Sequence, residues 1–181
     1  MTLAFVCASA VGSLAQTGAE GTGSRAPSEP SRPFVVMTAQ TLAELERRLR
    51  PEAKAEDLIG GPGQQLRVAV QHERNKAALE AEVHDASDDV YYVLEGAATL
   101  TLGGRLEVPR ETERGEWRAP RISGGRTVEI RKGDLVVVPR GTPHMRSTVG
   151  KDFSMILIKI WAEPLPPAPP VAAPPSKAQK P

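Results

Sequence analysis

Apolar and polar residues alternate with a period of two through much of the middle of the chain, the pattern of half-buried strands. Gln65–His72 and Ala78–His84 alternate in this way. Val90–Leu94 and Ala97–Leu102 are β-rich runs separated by Gly96, and Arg126–Arg131, Leu135–Val138 and Phe153–Trp161 complete the set. Gly103-Gly104, Gly124-Gly125, Lys132-Gly133-Asp134 and Gly150-Lys151 supply turns between them. Many short strands without intervening helices predict an all-β fold, an antiparallel sandwich or barrel. Between Val108 and Arg121 the sequence is charged and irregular, which predicts a loop or hairpin excursion. One helix is expected ahead of the strands, over residues 36–51. Thr41-Leu42-Ala43-Glu44 reads as its capping box, Leu42, Leu45 and Leu49 recur on one face, and Pro51 ends it. This short amphipathic helix should pack on the outside of the main domain, with Arg47 and Arg48 in solvent.

Composition narrows the picture. The length of 181 residues suits one domain with tails. The domain is expected over 52–162, preceded by a Gly/Ser/Ala/Pro-rich leader over 16–35 and followed by a Pro/Ala-rich tail over 163–181 that lacks apolar mass for a core. Residues 1–15 form an apolar run ending in Ser13-Leu14-Ala15, whose small residues fit a signal-peptidase site before Gln16. The run carries no basic residue at its start, so an ordinary apolar segment is the alternative. The export reading makes the protein secreted or periplasmic; the other leaves it cytoplasmic. The run is too short for a good membrane span. Lys and Arg number 23 against 22 Asp and Glu, a formal charge of +1 that points to neither nucleic acid nor an anionic membrane. Cys7 is the only cysteine, so a metal in this protein must rest on His and carboxylate ligands.

Two clusters carry candidate chemistry. In the first, Glu82 and His84 stand two apart on a strand and face the same way, and Asp89 opens the next strand after a short bend. In the second, a buried strand runs through Pro139-Arg140-Gly141 into His144, which opens the strand that follows. Counting by twos from Asp89 sends Tyr91 and Val93 inward, and counting from His144 does the same for Arg146 and Thr148. An inward Arg146 needs an anionic partner, either Glu82 or a substrate carboxylate or phosphate. Glu82 itself has a structural alternative, a pair with Arg67 or Arg146. Tyr91 is a candidate proton donor, or barrel packing. His72, on the Val68/Val70 face of its strand, is an alternative ligand or a core residue. Trp117 is either a lid over the mouth or an exposed hairpin aromatic, and Tyr92 should face outward.

These clusters resemble the two signature motifs of the cupin superfamily. Gly133, five residues, Pro139, one residue, Gly141, two residues and His144 reproduce the second motif through its histidine, with Thr148 where the family has Asn. The first motif is divergent: Glu82-x-His84, four residues, Asp89, six residues, Gly96 keeps the spacing, but Glu82 replaces the first His and Asp89 replaces Glu. Lys76 stands where the motif's opening Gly is usual. The resemblance spans roughly Leu66 to Trp161. It implies a double-stranded β-helix or jelly-roll barrel holding one divalent metal, with His84 and His144 at ligand positions, Asp89 at the carboxylate position and Glu82 where an imidazole is usual. A set of two His and two carboxylates is hard, favouring Mn²⁺ or Fe²⁺ and leaving Zn²⁺ or Ni²⁺ open. It further implies a homodimer and a small organic ligand. Two functions follow: a metal-dependent enzyme, dioxygenase-like or an isomerase or lyase, with Tyr91 and Arg146 as catalytic candidates, or a non-catalytic binding or sensing barrel. The barrel hosts too many unrelated reactions for fold to decide.

Overall fold

A computed structural model of the chain describes residues 32–77 and 80–163. The expected signal segment over 1–15, nearly all of the leader, and the tail beyond residue 163 lie outside the described residues, as do Ala78 and Leu79 in the second predicted strand. From Val35 onward the chain forms one compact unit.

Helix α1 spans Ala39–Leu49, within the predicted range. Its cap sits three residues before the expected one. Thr38, with extended backbone, accepts the Thr41 N–H at 3.1 Å through its hydroxyl, and Glu44 accepts from Gln40 at 3.0 Å instead of reaching back to the helix start. Leu45 and Leu49 are buried against Val70, with Leu42, Leu58 and Leu94 beside them, so the leucine stripe docks the helix on the outside of a sheet. Arg47 and Arg48 are exposed, and Arg48 pairs with Glu56.

The strands form two antiparallel layers that share one long element. That element is β4, Ser87–Leu102, where the sequence showed two runs and a glycine. Its first half pairs with β12 (Asp152–Trp161) and β10 (Leu135–Val138); its second half pairs with β11 (His144–Ser147) and β9 (Arg126–Arg131). The first layer continues from β12 to β2 (Leu66–Arg74) and then β1 (Ala55–Ile59), a strand without a clear alternating signal. The second layer runs from β11 to β3 (Ala81–His84), β7 (Glu116–Ala119) and β6 (Arg110–Glu113). Gly96 sits where β4 passes between layers, at φ +77, and a Cβ there would lie 1.8 Å from the Asp152 carbonyl oxygen. Only glycine fits.

The charged stretch from Val108 to Arg121 takes the hairpin form of the two expected, as ordered strands. β6 and β7 pair as a hairpin, β7 joins β3, and short β5 (Arg105–Glu107) and β8 (Arg121–Ser123) pair beside them. Its polar character hid the strands, because one face is solvated and the other lines a cleft of charged groups. Between the layers lies the main core, in which Tyr91, Val93, Leu100, Ile130, Phe153 and Met155 pack together. The outer face of the first layer is also apolar. There Tyr92, Leu135 and Val137 remain exposed, as expected for Tyr92.

Candidate metal centre

A cleft of about 530 Å³ opens at one end of the two layers. Glu82, His84, Asp89, Tyr91 and Arg146 all line it. Sheet register brings the site together. Glu82 on β3 lies directly between Arg118 on β7 and His144 on β11, and His84 faces Glu116 on β7. Hydrogen bonding then orients both imidazoles. His144 Nδ1–H donates to the Thr142 carbonyl at 3.0 Å, and His84 Nδ1–H donates to a Glu116 carboxylate oxygen at 2.5 Å. The Nε2 lone pair of each ring is thereby turned to the cleft. The rings are tilted at 58° with centroids 5.2 Å apart.

Glu82, His84 and His144 each offer one ligand atom within 4.8 Å of the others. Glu82 Oε1 lies 3.3 Å from His144 Nε2. Asp89 stands alongside, its Oδ2 3.7 Å from His84 Nε2 and 3.9 Å from His144 Nε2. The other Asp89 oxygen is held by Lys159 Nζ at 2.7 Å, and Tyr91 O–H donates to Oδ2 at 3.2 Å. The Arg118 guanidinium, 3.2 Å from Glu82 Oε2, favours the ionised form of this carboxyl. His144 Nε2 is buried without a hydrogen-bond partner. A buried imidazole nitrogen facing a carboxylate and a second imidazole calls for a positive charge, either a proton on the ring or a metal ion. The donor set fits a divalent metal, which Glu82, His84 and His144 would hold with Asp89 within reach.

Other sequence expectations find different partners. Arg146 meets neither Glu82 nor open solvent. Its guanidinium donates to both oxygens of Glu73, at 2.8 and 3.1 Å, and lies 5.1 Å from the Tyr91 ring centroid. Glu73 shares the inward face of β2 with Arg67 and Gln71, a face that only the closing of the two layers identifies. Burial opposes the Arg146 charge, and Glu73 overcomes it, keeping the guanidinium charged. Glu82 pairs with Arg118 at 3.2 Å rather than with Arg67. His72 faces away from the cleft, on the helix side with Val70, where it is buried and 3.0 Å from the Ser154 hydroxyl. It is not placed as a ligand, and burial lowers its pKa. Thr148 is buried and accepts the Lys76 N–H at 2.9 Å, which ties a loop instead of lining the cleft. Trp117 alternates away from Glu116 and Arg118, and its indole N–H donates to Asp85 at 2.8 Å. The lid reading fails for that reason. Sequence reasoning missed Glu116 and Arg118 because their strand looked irregular, and both border the ligands.

No family model and no curated protein matches the chain. Among solved structures, BH2720 from Bacillus halodurans is 18% identical at a TM-score of 0.49, over 76% of this chain and 88% of that one. DMSP lyase DddQ from Ruegeria pomeroyi is 19% identical at 0.43, over 60% and 47%. A cupin superfamily protein from Desulfitobacterium hafniense is 13% identical at 0.40, over 61% and 80%. At these TM-scores the likenesses carry neither a family nor an activity over to this chain. Two antiparallel layers joined by one long strand, with both histidine-bearing segments brought to the mouth between them, make this chain an antiparallel jelly-roll barrel.

Proposed function

We propose that this protein is a metal-dependent enzyme acting on a small organic molecule in the cleft. The observation that carries the reading is the buried, unpartnered Nε2 of His144 facing Glu82 and His84. Two imidazoles with one or two carboxylates are a hard donor set, which favours Mn²⁺ or Fe²⁺. A divalent ion bound there would act as a Lewis acid toward an anionic oxygen of the substrate. The chain supplies the rest. Glu116 and Thr142 fix the imidazole tautomers. Tyr91 stays protonated because burial, Asp89 and Glu82 raise its pKa more than Arg146 lowers it, so its O–H is a donor facing Asp89. We assign this Tyr91–Asp89 pair the proton-handling role. Arg146 acts as a positioning residue, holding Tyr91 from above its ring.

A proton-handling pair beside the ligands suits isomerase or lyase chemistry, and a two-His carboxylate set suits O₂ chemistry at iron. Metal content of the protein purified without added metal is expected near one ion per chain, and lost in His84→Ala and His144→Ala. Metal-free wild-type protein that takes up none on reconstitution sinks the reading. Oxygen consumption with flavonols, diketones and catechols then separates the dioxygenase-like reading from the isomerase or lyase reading. A metal-loaded protein that binds small molecules and turns none over is the sensing alternative.

A further inference from the structure

Beside the metal centre, the first layer presents two cations, Arg67 and Lys159, to which the reading above gives no role. Register aligns Arg67 on β2 with Lys159 on β12, and Lys159 in turn with Asp89 on β4. All three side chains line the cleft. Directly opposed like charges on one face repel, so folding alone gives no reason to set a guanidinium beside an ammonium here. Each cation has a single carboxylate, on its far side. Arg67 directs both Nε and Nη2 to one oxygen of Asp57, at 2.9 and 2.8 Å, and Asp57 is more than half exposed. Lys159 holds Asp89 at 2.7 Å and donates to the Ser87 hydroxyl at 3.2 Å. Among the described residues, Arg67 Nη1 and the Lys159 ammonium keep donors for another acceptor. Trp161 and Leu157, on the same strand as Lys159, supply an apolar wall to the same cleft.

We propose that Arg67 and Lys159 form a carboxylate subsite, so that the molecule taken by this cleft is a small organic acid. Its carboxylate spans the two cations, its carbon chain lies along Trp161 and Leu157, and its other end points toward Glu82, His84 and His144. A carboxylate matches the arginine fork and has a second oxygen for the ammonium. The proposal refines the enzyme reading above by naming the substrate class. The subsite itself needs no metal, so it can be tested separately.

The test is calorimetric titration of the full chain, metal-free and metal-loaded, with succinate, with succinamide and with inorganic phosphate at fixed ionic strength. Succinate is expected to bind in both forms, at least tenfold more tightly than succinamide or phosphate. Arg67→Gln and Lys159→Gln should each weaken succinate at least tenfold, and Lys159→Arg should restore most of the loss. Equal affinity for succinate and succinamide overturns the proposal, as does phosphate binding more tightly. Succinate binding that survives in Arg67→Gln but disappears with the metal places the anion on the ion and also overturns it. Failure of metal loading with the succinate preference intact would instead overturn only the metal reading. Circular dichroism confirms folding, and because Arg67 pairs with an exposed partner, its variant remains informative if Lys159→Gln misfolds.

Discussion

At the scale of single residues, most charges in the cleft are held by an opposite charge on another strand, within a layer or across the two layers. Glu73 and Arg146 are the most buried such pair, with side chains 3% and 10% exposed. Removing one partner leaves the other charge uncompensated, so Glu73→Gln should cost about 3–5 kcal/mol in denaturant unfolding. Burial raises the Glu73 pKa, but hydrogen bonds and charge from Arg146 and Lys76 lower it further. Its folded pKa is thus below the unfolded one. The pair's stabilisation is full above the ordinary carboxylate range and fades as pH falls through the lowered folded value. Unfolding measured from pH 7 downward should show that loss, and Glu73→Gln should flatten it. Glu116 acts at the same scale through its bond to His84. Glu116→Gln should weaken metal binding about 10–100-fold in chelator competition while leaving the fold intact.

At the scale of elements, β4 and α1 carry the tests. β4 reads as one strand only because Gly96 lets it bend against Asp152. Gly96→Val places side-chain atoms where a carbonyl already sits, and it should prevent folding to a soluble native state, scored by circular dichroism and solubility. For α1, Leu45 and Leu49 are each 4% exposed against the outside of the sheet. Leu49→Ala should cost about 2–5 kcal/mol in chemical unfolding. Metal stoichiometry should not change, because the helix touches the face opposite the cleft.

At the scale of the whole molecule, the outer face of the first layer leaves Tyr92, Leu135 and Val137 exposed, at 43%, 65% and 58%. Tyr92 and Leu135 are register partners on β4 and β10, and β10 pairs with β4 alone among the described strands. An apolar face that continues to an unpaired strand edge is self-complementary under a two-fold axis. We propose a homodimer through this face. Analytical ultracentrifugation should give twice 19.4 kDa for the full chain, and Leu135→Lys with Val137→Lys should give the monomer. Among the described residues no helix is long and apolar enough to cross a membrane.

Much of this was present in the linear pattern. Period-two alternation placed most of the strands around the site, because a half-buried strand must alternate wherever one face is wet. Motif spacing placed His84 and His144, since turn glycines and prolines mark where each strand begins. Parity around His144 sent Arg146 inward, yet its partner could not be read, because Glu73 lies 73 residues away and meets it only when the two layers close. Strand parity likewise offered His72 to either face, and only the docking of α1 decided that it turns away from the cleft. Glu116 and Arg118 sat in a stretch whose charges looked like solvent exposure. Their value depends on which strand β7 joins, a long-range pairing that no local pattern encodes. The sequence by itself thus determined the strands that carry His84, Asp89 and His144, the turns between them and the identity of the ligand candidates. Their convergence on one point, and the partners that hold them there, were decided by cross-strand register.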